Sequence, residues 1–156
     1  MHGEAVALGA GTVLNALATG VGSAFAIDAE TAARVELDDT GTVDGEIGGA
    51  PDGDTRLICR CVERVVDRFG DGEGGHVRTE SDVPMAAGLK SSSAAANATV
   101  LATLSALGVS VGDDDEIDRE TACRIGVGAA RDAGVTVTGA FADASASMLG
   151  GVTVTH

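Results

Sequence analysis

The sequence predicts an α+β domain, a mixed and mostly antiparallel sheet packed with helices. Three observations lead there. Stretches of strand character crowd the first third of the chain, at residues 4–8, 22–27, 31–37 and Val43–Ile47. Helical spacing then takes over, with Leu57, Ile58, Cys61, Val62, Val65, Val66 and Phe69 recurring on one face. A long Ala-rich run after Ser91, carrying Val100, Leu101, Leu104 and Leu107, is a strong helix former. The 156 residues suit one domain, 1–156, of ordinary size. With 44% hydrophobic residues but three Phe and no Tyr or Trp, the core must be built from Val, Leu, Ile and Ala.

In chain order, residues 4–8 read as a short strand, and Gly9 and Gly11 as a tight bend after it. Residues 13–19 read as a short helix or an irregular turn, punctuated by Gly20 and Gly22. GSAFAI and TAARVEL read as two strands, residues 38–41 as a turn and Val43–Ile47 as a further strand, together an antiparallel set. Residues 48–54 form a polar Gly/Pro/Asp loop. Arg56–Phe69 is a helix with Arg60, Glu63, Arg64 and Asp67 on its wet face, and residues 76–81 alternate as a strand. After Leu107, Gly108 and the run Asp113, Asp114, Asp115, Glu116 make a solvated turn; adjacent carboxylates without spacing do not build a metal cage. Residues 117–133 read as a helix and 135–138 as a short extended piece. Phe141–Leu149 reads as a helix ended by Gly150 and Gly151, and Val152–Thr155 as the last strand.

The stretch from residue 82 to 107 carries the chemistry. Pro84 disfavours helix in the residue before it, and Gly88 admits a backbone shape that a side chain would block, so residues 82–90 form a loop. Ser91, Ser92 and Ser93 then stand where a helix begins. Hydroxyls there cap free N–H groups, and those N–H groups with the positive end of the helix dipole suit an anion. Lys90, the only lysine in the chain, sits at the junction. A phosphate would meet N–H donors, hydroxyls and one mobile cation. The plainer alternative is a capped, Ala-rich core helix without a ligand.

The formal charge is −14, Asp outnumbers Glu, and nine of the ten basic residues are Arg. Such a surface repels nucleic acid and anionic membranes. Solubility alone would explain it; near-total loss of Lys favours adaptation to high salt, where screening removes the self-repulsion. No apolar run is long enough to cross a membrane, and no basic-then-apolar leader opens the chain, so a cytoplasmic location is expected. Cys59, Cys61 and Cys123 lack metal-ligand spacing and read as free, mostly buried thiols. His2, His76 and His156 are scattered, with no arrangement that suggests a triad.

PMAAGLKSSSAAA resembles the phosphate-binding motif of the GHMP kinases, P-x-x-x-G-L-G-S-S-A-A. Pro84, Gly88, Leu89, Ser91, Ser92 and the alanines match, and Lys90 replaces a Gly. GLKSSSA is similar to the archaeal shikimate kinase branch. The spacing is not that of a Walker A loop, nor is Gly9/Gly11 a dinucleotide fingerprint.

The resemblance implies a ribosomal protein S5 domain 2-like fold, the N-terminal domain of a GHMP kinase. It implies phosphates held by Pro84, Met85, Ala86, Ala87, Gly88, Leu89, Lys90, Ser91, Ser92, Ser93 and Ala94. It implies ATP and Mg2+ as cofactors, with Ser92 as the first hydroxyl for the metal and Ser91 next. The acceptor would be shikimate, phosphorylated at its 3-hydroxyl. Homoserine or mevalonate kinase activity, or a non-catalytic nucleotide-binding fragment, are the alternatives.

TGAFADASASMLGG is similar to the segment that carries a catalytic Asp in several members. The branch pattern T-G-A-F-D-D leaves Ala142 at the first Asp and Asp143 at the second, so Asp143 takes the role of base. Arg131 and Asp132 occupy the neighbourhood where the family often has a second metal ligand, a Glu. GAGTVLNALATG stands at the family's first motif, with Asn15 and Thr19 as polar contacts. GHMP kinases also have a C-terminal α+β domain that closes the site. Nothing after His156 supplies it, which predicts an exposed apolar face and self-association or docking of the absent half.

Overall fold

The computed structural model describes residues 1–14, 22–82, 91–134, 141–149 and 152–155. Among them the order is β1 (His2–Leu14), β2 (Gly22–Asp38), β3 (Val43–Ile47), α1 (Arg56–Phe69), β4 (Gly74–Ser81), α2 (Ser91–Ala106), α3 (Arg119–Asp132), α4 (Phe141–Leu149) and β5 (Val152–Thr155). The sheet runs β1-β2-β4-β3, and β5 pairs with the first residues of β2. Every pairing is antiparallel except β3 with β4. The α+β class and the mostly antiparallel mixed sheet are therefore as expected.

Four local expectations are corrected. Gly9 and Gly11 do not bend the chain, because β1 stays extended to Leu14; Gly9 lies at a register shift whose extra residues, 27–29, are on β2. A glycine inside a strand often marks such a bulge. Val13 and Leu14 are thus strand; the rest of the expected helix or turn, residues 15–19, lies outside the described residues, as does the piece at 135–138. The two strands expected at 22–27 and 31–37 are one, β2, which stays extended through residues 28–30 although its register with β1 shifts there, from Glu30 opposite Leu8 to Ala26 opposite Ala10. β3 runs parallel to β4 because the chain between them carries α1, a connection that returns it in the same direction. Finally, α3 begins at Arg119 rather than 117. Ile117 instead bridges Val111, and Asp118 caps the helix by accepting from the Thr121 N–H at 2.6 Å.

The inward face of the sheet carries Ala7, Ala33, Val35, Leu37 and Val77. Against it pack Ile58, Val62 and Val66 of α1 and Ala98, Ala102 and Ala106 of α2. The far side of α2 meets a second cluster that includes Cys61, Val65, Val100, Leu104, Ile117, Cys123 and Met148. α2 is therefore the central helix. It is buried nearly all round, which is why its sequence shows no amphipathic stripe. Its small residues let β1 approach closely: a Cβ on Gly3 would overlap the Ala102 carbonyl oxygen and lie 2.6 Å from the Ala106 nitrogen.

The outward face alternates into solvent as two cross-strand rows. One is Glu4–Arg34–Arg78–Glu46, the other His2–Glu36–His76–Asp44. Arg34 and Arg78 stand directly opposite each other, and each is drawn to a carboxylate on its other side, Glu4 at 2.6 Å and Glu46 at 2.8 Å. Among the described residues, the large apolar side chains that reach solvent are Met1, Val6 and Leu149. The three cysteines are free. Cys61 and Cys123 are fully buried, and burial pushes both thiols up to about 12.

Asp132, near the end of α3, joins that helix to α1. Its Oδ2 accepts from Arg64 Nε at 2.7 Å and Arg60 Nε at 2.9 Å. The bonds from Arg64 and Arg60 hold its carboxyl down to about 2. A carboxyl depressed in the folded state stabilises above its unfolded pKa of about 3.9, and that contribution is lost as pH falls through the folded value. The difference in Tm between the parent and Asp132→Asn should therefore be largest near pH 7 and narrow from pH 4 toward pH 2. Thermal scans at constant ionic strength check this. A difference that ignores pH would mean the pair contributes nothing through charge.

Candidate functional site

β4 delivers the chain to the site. Val77 and Thr79 anchor the strand in the core. At its end, the Ser81 and Thr31 hydroxyl oxygens lie 2.7 Å apart, and the Asp82 N–H donates to the Glu30 carbonyl at 2.8 Å. Pro84, Met85, Ala86, Ala87, Gly88, Leu89 and Lys90 lie outside the described residues. The description resumes with Ser91 as the first residue of α2. Ser92 and Ser93 are half-buried, and Ala94 is fully buried. Strand, unassigned connection and helix start thus follow in the order that an N-terminal anion site needs.

Carboxylates stand at or just before the starts of α1 and α3, although the first turn of α1 itself holds no acidic residue. At α1, Asp54 Oδ1 accepts from the Arg56 N–H at 3.0 Å. At α3, Asp118 caps and Glu120 sits in the first turn. The first turn of α2 holds no acidic residue. In a chain with 24 carboxylates, residues 83–112 contain none. An incoming anion would meet the N–H groups of a helix start and hydroxyls there, with no carboxylate contributed by residues 83–112. This gap in acidity is legible in the sequence and supports the same site that the motif indicates.

α4 brings up the second stretch. Asp143 and Ala142 stand in its first turn; their side chains lie outside the described ones, as do Asn15 and Thr19. The next residue, Ala144, is tied to α2: Asn97 Nδ2 donates to its carbonyl at 2.8 Å, wholly out of solvent. Ser145 and Ser147 of α4 are buried as well. Motif reading did not single out Asn97. The available signal was an amide inside an otherwise apolar Ala run, where helix propensity favours Ala. Asp132 faces α1 and is engaged by Arg60 and Arg64, so it is held by the interhelical clamp.

Grooves of about 380 and 420 Å³ open among the described residues, the first along Glu4, Val6, Arg34 and Arg78, the second along Glu30, Arg78, Ser81 and Asp82. Both lie on the outward, charged face of the sheet, opposite α2, and are shallow surface relief between ion pairs. Among the described residues no group of His, Cys, Asp and Glu could hold a metal, and no helix is long and apolar enough to cross a membrane.

The family model described as the GHMP kinases N terminal domain matches residues 56–151, which takes in α1, β4, α2, α3 and α4. The chain belongs to the GHMP kinases. Within the family, this domain is 69% identical, over 99% of its length, to a protein named shikimate kinase from Halobacterium salinarum, of which it covers 54%. It is 60% identical, again over 99% of its length, to a shikimate kinase of Methanothrix thermoacetophila, covering 51% of that protein. The chain therefore spans about half the length of the curated relatives it matches.

Solved structures agree on the fold of this GHMP kinase domain. A mevalonate diphosphate decarboxylase from Staphylococcus aureus superposes with a TM-score of 0.72 at 20% identity, over 98% of this chain and 45% of that one. A mevalonate kinase superposes at 0.70 with 13% identity, over 99% and 53%.

Proposed function

We propose that this GHMP kinase domain is the nucleotide-binding part of a shikimate kinase, which moves the γ-phosphoryl group of ATP to the 3-hydroxyl of shikimate. The observation that carries the reading is 69% identity along nearly the whole chain to a protein bearing that name. The carboxylate-free first turn of α2 fits a polyphosphate. In this reading Pro84 to Lys90 and Ser91 to Ala94 surround the phosphates, with Lys90 as the mobile cation. Ser92 offers its hydroxyl to magnesium, which spreads the charge that develops at the β and γ phosphates. Asp143 takes the proton from the accepting hydroxyl as the phosphoryl group arrives. Shikimate is the small-molecule partner, and the C-terminal half present in the longer relatives closes the site.

A titration of MgATP tests the nucleotide part. Ser92→Ala removes one charge-assisted contact, worth about 1.5–3 kcal/mol, and should weaken binding about 10- to 100-fold with the fold intact. Unchanged affinity would leave α2 as a capped core helix. Turnover of shikimate in molar KCl tests the chemistry. Asp143→Asn should lower it by about 10²- to 10⁴-fold with MgATP affinity unchanged. A gain of that size in Ala142→Asp would move the base to position 142.

Ala142 at the first Asp position favours one second reading, nucleotide binding without catalysis. MgATP binding with no turnover in any variant would select it. Turnover with homoserine or mevalonate in preference to shikimate would change the acceptor and keep the site.

A further inference from the structure

Asn97 sits where stability alone would not put it. It interrupts an Ala run in the middle of a helix, and its side chain is 0% exposed. Its Nδ2 is satisfied by the Ala144 carbonyl of α4, but its Oδ1 has no partner among the described residues. A buried acceptor without a partner is destabilising, and the intrinsic helix preference for Ala adds to that. The amide is nevertheless accommodated. It lies against α3 at Gly126, where a Cβ would stand 3.5 Å from Oδ1. Asn97 is thus held between three helices, and its one hydrogen bond spans two of them.

The two helices it joins are the ones the reaction needs. Asn97 is four residues beyond Ser93, so both share a face of α2 one turn apart. The carbonyl it grips belongs to the residue directly after Asp143. We propose that Asn97 is a positioning residue for phosphoryl transfer, holding α4 in register with the phosphate-binding turn of α2. The inference rests on the kinase reading above. Asn97 touches neither phosphate nor acceptor. It fixes the separation between the group that binds the phosphates and the segment that carries the base, and an error of about 1 Å there can cost 10²-fold in rate.

The test compares the full chain with Asn97→Leu and Asn97→Ala. Leu keeps the volume and removes the N–H, so it remains informative if the Ala variant fails to fold. Amide hydrogen exchange of residues 91–106 and 141–149 is followed with and without MgATP, alongside MgATP affinity. In the parent, MgATP should slow exchange in α2 and α4 alike. In the variants, affinity should stay within about 3-fold and the slowing in α2 persist, while the slowing in α4 disappears. Shikimate turnover should fall about 10- to 100-fold in kcat with the KM for ATP unchanged. Retention of the α4 response with MgATP bound would overturn the proposal. So would exchange in α4 that speeds equally with and without MgATP, the mark of a structural role alone. A parent that does not bind MgATP would instead overturn the kinase reading, and this proposal with it.

Discussion

Gly3→Ala should be among the most damaging single changes in this chain. The added methyl has nowhere to go: it would overlap the Ala102 carbonyl oxygen and press on the Ala106 nitrogen, and both are helix backbone. Flexible side chains can step aside, but here α2 would have to lift from β1, and the Ala98, Ala102 and Ala106 contacts would loosen with it. Overpacking of this kind costs about 1–3 kcal/mol and occasionally more. A clash with backbone on a central helix belongs at or above the top of that range. For a domain of this size that is a fall in Tm of about 6–12 °C. Val6→Ala, on the outward face of the same strand, should change Tm by no more than a degree or two. Equal Tm values for Gly3→Ala and the parent would mean that β1 and α2 are not held this close in solution.

Leu104→Ala should cost about 2–5 kcal/mol. Among the described residues Leu104 is the largest of the wholly buried side chains, and with Val100 it stands on the face of α2 that meets Cys61 and Val65 of α1 and Cys123 of α3. α1 and α3 are tied to each other by the Asp132 clamp, which limits how far either can move onto the cavity. Denaturant unfolding should show a lower midpoint with an unchanged slope. Leu104→Met, which keeps the volume, should lose less than about 1.5 kcal/mol. A small loss for Ala would show that α1 and α3 can close in on α2.

Much of this was legible in the chain, for identifiable reasons. α1 carries a strict helical stripe from Leu57 to Phe69, and its bounds match the expectation. α4 and β5 match because Gly150 and Gly151 separate them. The errors fall where one residue type has two structural uses. Glycine marks a bend or a bulge, and at Gly9 it accompanied the bulge side of that pair. A short acidic stretch such as Asp28-Ala29-Glu30 can be a turn or part of a long strand, and here β1 decides, since it pairs on both sides of it, with Ala26 and with Glu30. Strand direction is not written in the five residues of β3; it follows from the helix that comes next. At the site, motif spacing located the start of α2 and the α4 segment. Asn97 escaped because its meaning depends on Ala144, 47 residues away.

The close seat of α2 on β1 also bears on the life of the chain before it is folded. Gly3 and Ala102 meet although 99 positions separate them. On a ribosome adding about 5–20 residues per second, the β1–β2 pair, complete at Asp38, would wait roughly 3–14 s for the helix that covers it, complete at Ala106. During that interval Ala7, Ala33, Val35 and Leu37 have no cover from α2. Contacts of such long range also slow folding once synthesis ends.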